Sequence, residues 1–133
     1  MKLLGRVQHS LDDKGRIVLP AQYRDNLHGA LFFALGENGE IAIWPEEGFN
    51  EKLAQKKQLE LAGGSSGARE YRRFTSNAGP AKLDAQFRIT IPEGLREKAE
   101  IGSTGPLAII GAGDRLEIWD AARYDLYLEA DGE

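Results

Sequence analysis

Apolar and polar positions fall into the same order twice along this chain. In the first train, Ile17 and Leu19 alternate with Arg16 and Val18 and run into Pro20. In the second, Ile89 and Ile91 alternate with Arg88 and Thr90 and run into Pro92. Such alternation predicts a strand with one buried face. Each Pro is followed by an apolar pair four residues apart, Tyr23 with Leu27 and Leu95 with Ala99, as on one face of a short helix. Each copy then runs through an apolar stretch, 30–35 and 106–110, to a strand ending in Trp44 or Trp119. The motif Asp lie 72 residues apart (Asp12, Asp84) and the Trp 75 apart, so the copies stay in register apart from about three extra residues, assigned to 100–105. An internal repeat of this length defines the unit of the fold.

Other elements follow from local signals. A first strand is expected over 5–9. Asp12-Asp13-Lys14-Gly15 reads as a hairpin tip, with 16–19 as the return strand. Pro20 suits the first turn of a helix reaching Leu27, with Gly29 as its stop. Strands 31–35 and 40–44 form a hairpin around Gly36-Glu37-Asn38-Gly39. Pro45 opens a helix over 46–61 with Phe49 and Leu53 as its apolar stripe; Glu51, Lys52, Lys56, Lys57 and Glu60 are assigned to its outer surface. Residues 63–67, Gly-Gly-Ser-Ser-Gly, read as a linker. A short basic helix over 69–77, with Tyr71 and Phe74 turned inward, leads through 78–83 to the second tip. The second copy ends in a helix from Pro92, a hairpin of 107–110 with 116–119, a helix over 120–128 and a frayed acidic tail over 130–133.

The expected fold is α+β, mainly β, built from two tandem strand–tip–strand–helix–hairpin repeats. The first repeat with its trailing helix occupies 1–62, the linker 63–67 and the second repeat 68–133. One copy has too few strands to stand alone. Two can bury each other's apolar faces and close into a barrel with pseudo-two-fold symmetry.

Composition adjusts this picture in two ways. The 133 residues include no cysteine, which excludes disulfides and zinc–thiolate sites, and no long apolar run. Met1 to Gly5 lacks the apolar core of a signal peptide, so the cytoplasm is expected. The net charge of −4 speaks at first against a polyanionic partner. Its distribution does not. Residues 1–24 hold five basic against two acidic side chains, and so do residues 69–88, leaving the remainder strongly acidic. For binding a polyanion, the local field around the two motifs matters more than the total.

The candidate chemistry lies at the tips. Asp12 and Asp84 can cap turn amides and pair with Arg16 and Arg88, a structural use common for Asp in turns. The guanidinium of Arg16 can grip a phosphate or a guanine edge, and Asp12 can orient it while it does so. Lys14 is either a solvated turn residue or a phosphate contact, and Gln86 holds the matching place in copy two. Arg24 and Arg96 read as surface charge or phosphate contact. Arg69, Arg72 and Arg73 either extend a phosphate track or line a solvated helix face. Trp44 and Trp119 read as packing residues. His9 and His28 stand apart from any nucleophile, and Gly111-Ala112-Gly113-Asp114 lacks the residues of a phosphate loop. No catalytic, cofactor or metal site is expected.

The strings Leu11-Asp12-Asp13-Lys14-Gly15-Arg16-Ile17-Val18-Leu19-Pro20, Leu83-Asp84 with Arg88-Ile89 and Ile91-Pro92, and Leu116-Glu117-Ile118-Trp119-Asp120 resemble the MraZ family, bacterial transcriptional regulators associated with the division and cell-wall gene cluster. The tips are similar to those of the wider AbrB/SpoVT-like swapped-hairpin group. The resemblance runs from about Leu4 to Trp119. It implies a swapped-hairpin barrel, a ring-shaped, octamer-like homo-oligomer, association with the nucleoid, and binding of double-stranded DNA at direct repeats in promoters, including that of its own operon. On this reading the DNA contacts are Lys14, Arg16, Gln86, Arg88 and Arg24, with Asp12, Gly15 and Asp84 shaping the tips. One position departs from the pattern: Phe87 precedes Arg88 where the family has Gly, as Gly15 precedes Arg16. Phe tolerates a positive φ poorly, so the second tip is expected to form a different turn, or a strained one.

The leading expectation is a DNA-binding regulator. A ring-forming scaffold without a nucleic-acid role is the alternative, and it leaves the basic clustering at both tips unexplained. An enzyme is not expected.

Overall fold

The structure is a computed structural model that describes residues 1–102 and 105–130. The strands β1 (Arg6–His9), β2 (Arg16–Val18), β3 (Leu31–Leu35) and β4 (Ile41–Pro45) make the first copy. Helices α1 (Glu46–Ala62) and α2 (Gly64–Ser76) follow. The second copy comprises β5 (Gly79–Ala81), β6 (Arg88–Thr90), α3 (Glu93–Lys98), β7 (Leu107–Gly111), β8 (Leu116–Asp120) and α4 (Ala121–Ala130).

The strands before each tip pair with the other copy. β1 lies antiparallel to β7, and β5 lies antiparallel to β3. Six strands thereby form one sheet in the order β1-β7-β8-β4-β3-β5, and β2 and β6 pair as a separate ribbon. Both central ladders are symmetric about a single pair: Ala42 opposite Glu117 between β4 and β8, and Ile17 opposite Ile89 between β2 and β6. A pseudo-two-fold axis relates the copies through these two pairs. Strand exchange explains why neither copy is a unit, since each would leave its edges unpaired.

The alternation in the sequence decides the layers. Ile17, Leu19, Ile89 and Ile91 of the ribbon pack against Ile41, Ile43, Leu116 and Ile118 of the sheet, with Tyr23, Leu27, Leu95 and Ala99 closing the ends. Each of the Ile and Leu side chains contributes about 1.5–3 kcal/mol on full burial. The opposite face of the sheet is covered in two parts. Trp44, Ala34 and Ala42 meet Phe49 of α1 and Phe74 of α2, and Trp119, Ala108 and Ile110 meet α4.

Four local expectations need correction. The segment after Pro20 is a single 3-10 turn at Ala21–Tyr23 rather than an α-helix, although Tyr23 and Leu27 are buried as the pairing predicts. Asp25 and Asn26 stand where α3 has Glu97 and Lys98, which propagate a helix better. Residues 63–67 are a helix corner, not a flexible linker. A Cβ at Gly67 would lie 1.9 Å from the Leu59 carbonyl oxygen, so α1 and α2 approach at a distance that only glycine permits. The helix expected over 69–77 accordingly begins at Gly64. Lys56 points inward instead of covering the outer surface: its side chain is 7% exposed and its Nζ donates to Glu70 at 2.7 Å. The register shift assigned to 100–105 lies partly outside the described residues, as does the tail beyond Ala130.

Candidate nucleic-acid interface

The two tips are the same turn built twice. In the first, Asp12 Oδ1 accepts hydrogen bonds from the N–H groups of Lys14 and Arg16, both at 2.9 Å, and Oδ2 accepts from Arg16 Nε at 2.6 Å. The Gly15 N–H donates to the Asp12 carbonyl at 3.1 Å. In the second, Asp84 Oδ1 accepts from the N–H groups of Gln86 at 2.8 Å and Arg88 at 2.9 Å, and Oδ2 accepts from Arg88 Nε at 2.7 Å. The Phe87 N–H donates to the Asp84 carbonyl at 3.0 Å. The Arg16 amide is the main reason that the Asp12 carboxyl is held down to about 2, helped by the Arg16 guanidinium and the Lys14 amide. Asp84 is held below its ordinary value by the matching partners in its own copy, the Arg88 amide first.

The turn at the second tip is therefore unchanged, and the strain falls on one residue. Phe87 has φ 61° where Gly15 has φ 73°. A non-glycine residue in this region costs about 1–2 kcal/mol.

Each tip is braced by an arginine from the other copy. Arg96 Nε donates to the Ile91 carbonyl at 3.0 Å, and its guanidinium lies against Gly15. Arg24 Nε donates to the Leu19 carbonyl at 3.0 Å, and its Cζ lies 4.3 Å from the centre of the Phe87 ring. Backbone bonds complete the brace: Leu19 N–H to the Phe87 carbonyl at 2.8 Å and Ile91 N–H to the Gly15 carbonyl at 2.9 Å. The family resemblance singles out Arg24 and leaves Arg96 aside. Their equal spacing from Pro20 and Pro92 is the signal that pairs them.

The ribbon gathers this chemistry on one face. Ile17 and Ile89 point into the core, so Arg16, Val18, Arg88 and Thr90 share the outer side. Arg16 and Arg88 sit diagonally across it, with the exposed Lys14 and Gln86 at its two ends. Each guanidinium is tethered to its Asp through Nε alone, and its terminal nitrogens have no protein acceptor among the described residues. A fork so held is ready for a paired acceptor such as a phosphate or a base edge.

The basic residues of α2 are not part of this face. α2 packs on the far side of the sheet, where Arg72 lies 3.7 Å from Glu60 and Arg73 4.0 Å from Glu70. Trp44 and Trp119 are buried there too, at 6% and 2% exposure. Among the described residues no three His, Cys, Asp or Glu side chains converge as metal ligands, and no helix is long and apolar enough to cross a membrane.

Comparison with known proteins agrees with this two-copy organisation. The family model described as "MraZ protein, putative antitoxin-like" matches residues 3–68 and again 74–133. The chain is 44% identical over 128 residues to a protein of Clavibacter michiganensis subsp. michiganensis named transcriptional regulator MraZ, covering 96% of this chain and 87% of that one. Proteins of the same name from Arthrobacter sp. (strain FB24) and Heliobacterium modesticaldum are 40% and 37% identical, covering 94% and 95% of this chain and 86% of each relative. With both copies matched and relatives similar over nearly its whole length, the chain belongs to the MraZ family.

Proposed function

We propose that this chain is a sequence-specific DNA-binding transcriptional regulator that reads the major groove with the β2–β6 ribbon. The observation that carries the reading is the shared outer face of that ribbon, with Arg16 and Arg88 presented on it by carboxylate-capped turns. The major groove admits a two-stranded ribbon, and an Arg fork matches the O6 and N7 acceptors of guanine. Lys14, Arg24 and Arg96 flank the ribbon as phosphate contacts, and Gln86 offers a further donor and acceptor. The names of the relatives support regulation of transcription.

Finer features belong to the same proposal. The sheet and ribbon together act as a swapped-hairpin barrel. The protein assembles as a ring, which covers the exposed Leu126 and Leu128 of α4 and Leu61 of α1. It acts in the cytoplasm, at the nucleoid, on direct repeats upstream of its own gene. One protomer offers few contacts, and a ring multiplies them.

The test replaces Arg16 with Ala and measures binding to a duplex from upstream of the protein's own gene. The expected result is loss of sequence-specific binding with an unchanged circular-dichroism spectrum. Wild-type affinity in the variant would refute the assignment of the ribbon.

A further inference from the structure

The two tips match in every turn hydrogen bond, yet one carries an aromatic ring where the other carries none. The fold does not account for that ring. Glycine at the same place in copy one makes the same turn without a left-handed penalty. The ring contributes little to the core, because Phe87 is 41% exposed. It rests on the Arg24 guanidinium at 4.3 Å, itself tied to the Leu19 carbonyl. The ring is thus an exposed apolar surface, fixed from one side, next in sequence to Arg88 and Gln86. Strain kept at such a place points to a use.

We infer that Phe87 is a specificity-determining residue: its ring makes the apolar contact with a thymine methyl group beneath the second tip. The first tip, with Gly15 covered by Arg96, makes no such contact. The inference rests on the proposed DNA reading and extends it: the two tips read different base sequences. Phenylalanine against the thymine 5-methyl is a recognised apolar contact in the major groove, the groove assigned to the ribbon. A clamped ring loses little side-chain freedom on binding, which favours the contact further.

The experiment compares the wild type with Phe87→Gly and Phe87→Leu on the upstream duplex and on the same duplex synthesised with deoxyuridine for thymidine. Deoxyuridine removes only the 5-methyl groups. Wild type is expected to bind the uracil duplex about fourfold more weakly, as expected for the loss of about one buried methyl group. Phe87→Gly is expected to bind both duplexes alike, with the salt dependence of wild type, and Phe87→Leu to keep part of the preference. Glycine is at ease at this φ, so the first variant keeps the turn. Equal sensitivity to uracil in wild type and Phe87→Gly would overturn the inference. So would a wild type that prefers its own duplex over scrambled DNA yet ignores the methyl groups, and that result would leave the DNA reading standing. Absence of any sequence preference in the wild type would overturn both.

Discussion

Gly15 and Arg96 are in direct contact across the two copies: a Cβ at Gly15 would lie 3.0 Å from the Arg96 Cζ. A side chain at the first tip would have to push the Arg96 guanidinium aside, and the φ of 73° disfavours one. Gly15→Ala is expected to lower stability by about 1–2 kcal/mol through backbone strain and to displace Arg96. Phe87→Gly at the related place is expected to stay within about 1 kcal/mol of wild type, because relief of strain and loss of the cation–π contact offset one another. Chemical denaturation of the two variants measures the contrast. Equal losses would mean that the tips are not braced differently.

The capped turns give the interface an acid limit. Asp12 is held to about 2 in the folded chain against an ordinary 3.8. A lowered carboxylate contributes stability that is full above the unfolded value and is lost as pH falls through the folded one. The Lys14 and Arg16 amides are therefore expected to keep their native chemical shifts down to about pH 4 and to lose them towards about pH 2. Asp12→Asn should abolish that transition and weaken DNA binding at neutral pH by about tenfold, since the Arg16 fork loses its tether. Unchanged affinity would show that the tether is dispensable.

Arg24 and Arg96 are assigned to phosphates, not bases. Arg96→Ala is expected to weaken binding to cognate and scrambled duplexes alike and to lower the slope of log affinity against log salt by about 1. Arg24→Ala, which also releases the Phe87 ring, is expected to lower the slope likewise and to reduce discrimination as well. Loss of discrimination without a change in slope in Arg96→Ala would instead place Arg96 on a base edge.

A pH effect of opposite sign is expected on the far side of the sheet. Glu40 is 5% exposed, and burial raises its carboxyl above the ordinary 4.5, with the nearby Glu117 adding to the shift. Its ionised form is disfavoured in the fold, so stability should rise as pH falls from its raised value towards 4.5. Glu40→Gln, which keeps an oxygen for the Asn38 N–H, should raise the melting temperature at about pH 7 and lose that advantage near about pH 4. Parallel pH curves for the two proteins would refute this.

The tips are legible from the repeat alone. An Asp followed four residues later by Arg is the spacing that lets one carboxylate cap two amides and hold a guanidinium. What spacing along the chain does not carry is which copy a strand pairs with. β1 alternates as it would in a local hairpin, yet its partner is β7, because exchange covers edges that a local hairpin leaves bare. Gly63 to Gly67 reads as a linker because glycine serves close helix crossing and flexible chain alike. Lys56 reads as a surface lysine because charge gives no sign of an inward-facing partner such as Glu70. At Phe87 the strain is foreseeable but its consequence is not, since Asp84 makes the same turn bonds around Phe87 as Asp12 makes around Gly15.

Reading of DNA sequence by the β2–β6 ribbon is open to a single measurement. That measurement is fluorescence anisotropy on a labelled duplex from upstream of the protein's own gene, against a scrambled duplex and across a salt series. Tight, sequence-dependent binding that falls steeply with salt is the expected result. Equal binding of both duplexes by an intact oligomer would contradict it and favour a scaffold role for the fold.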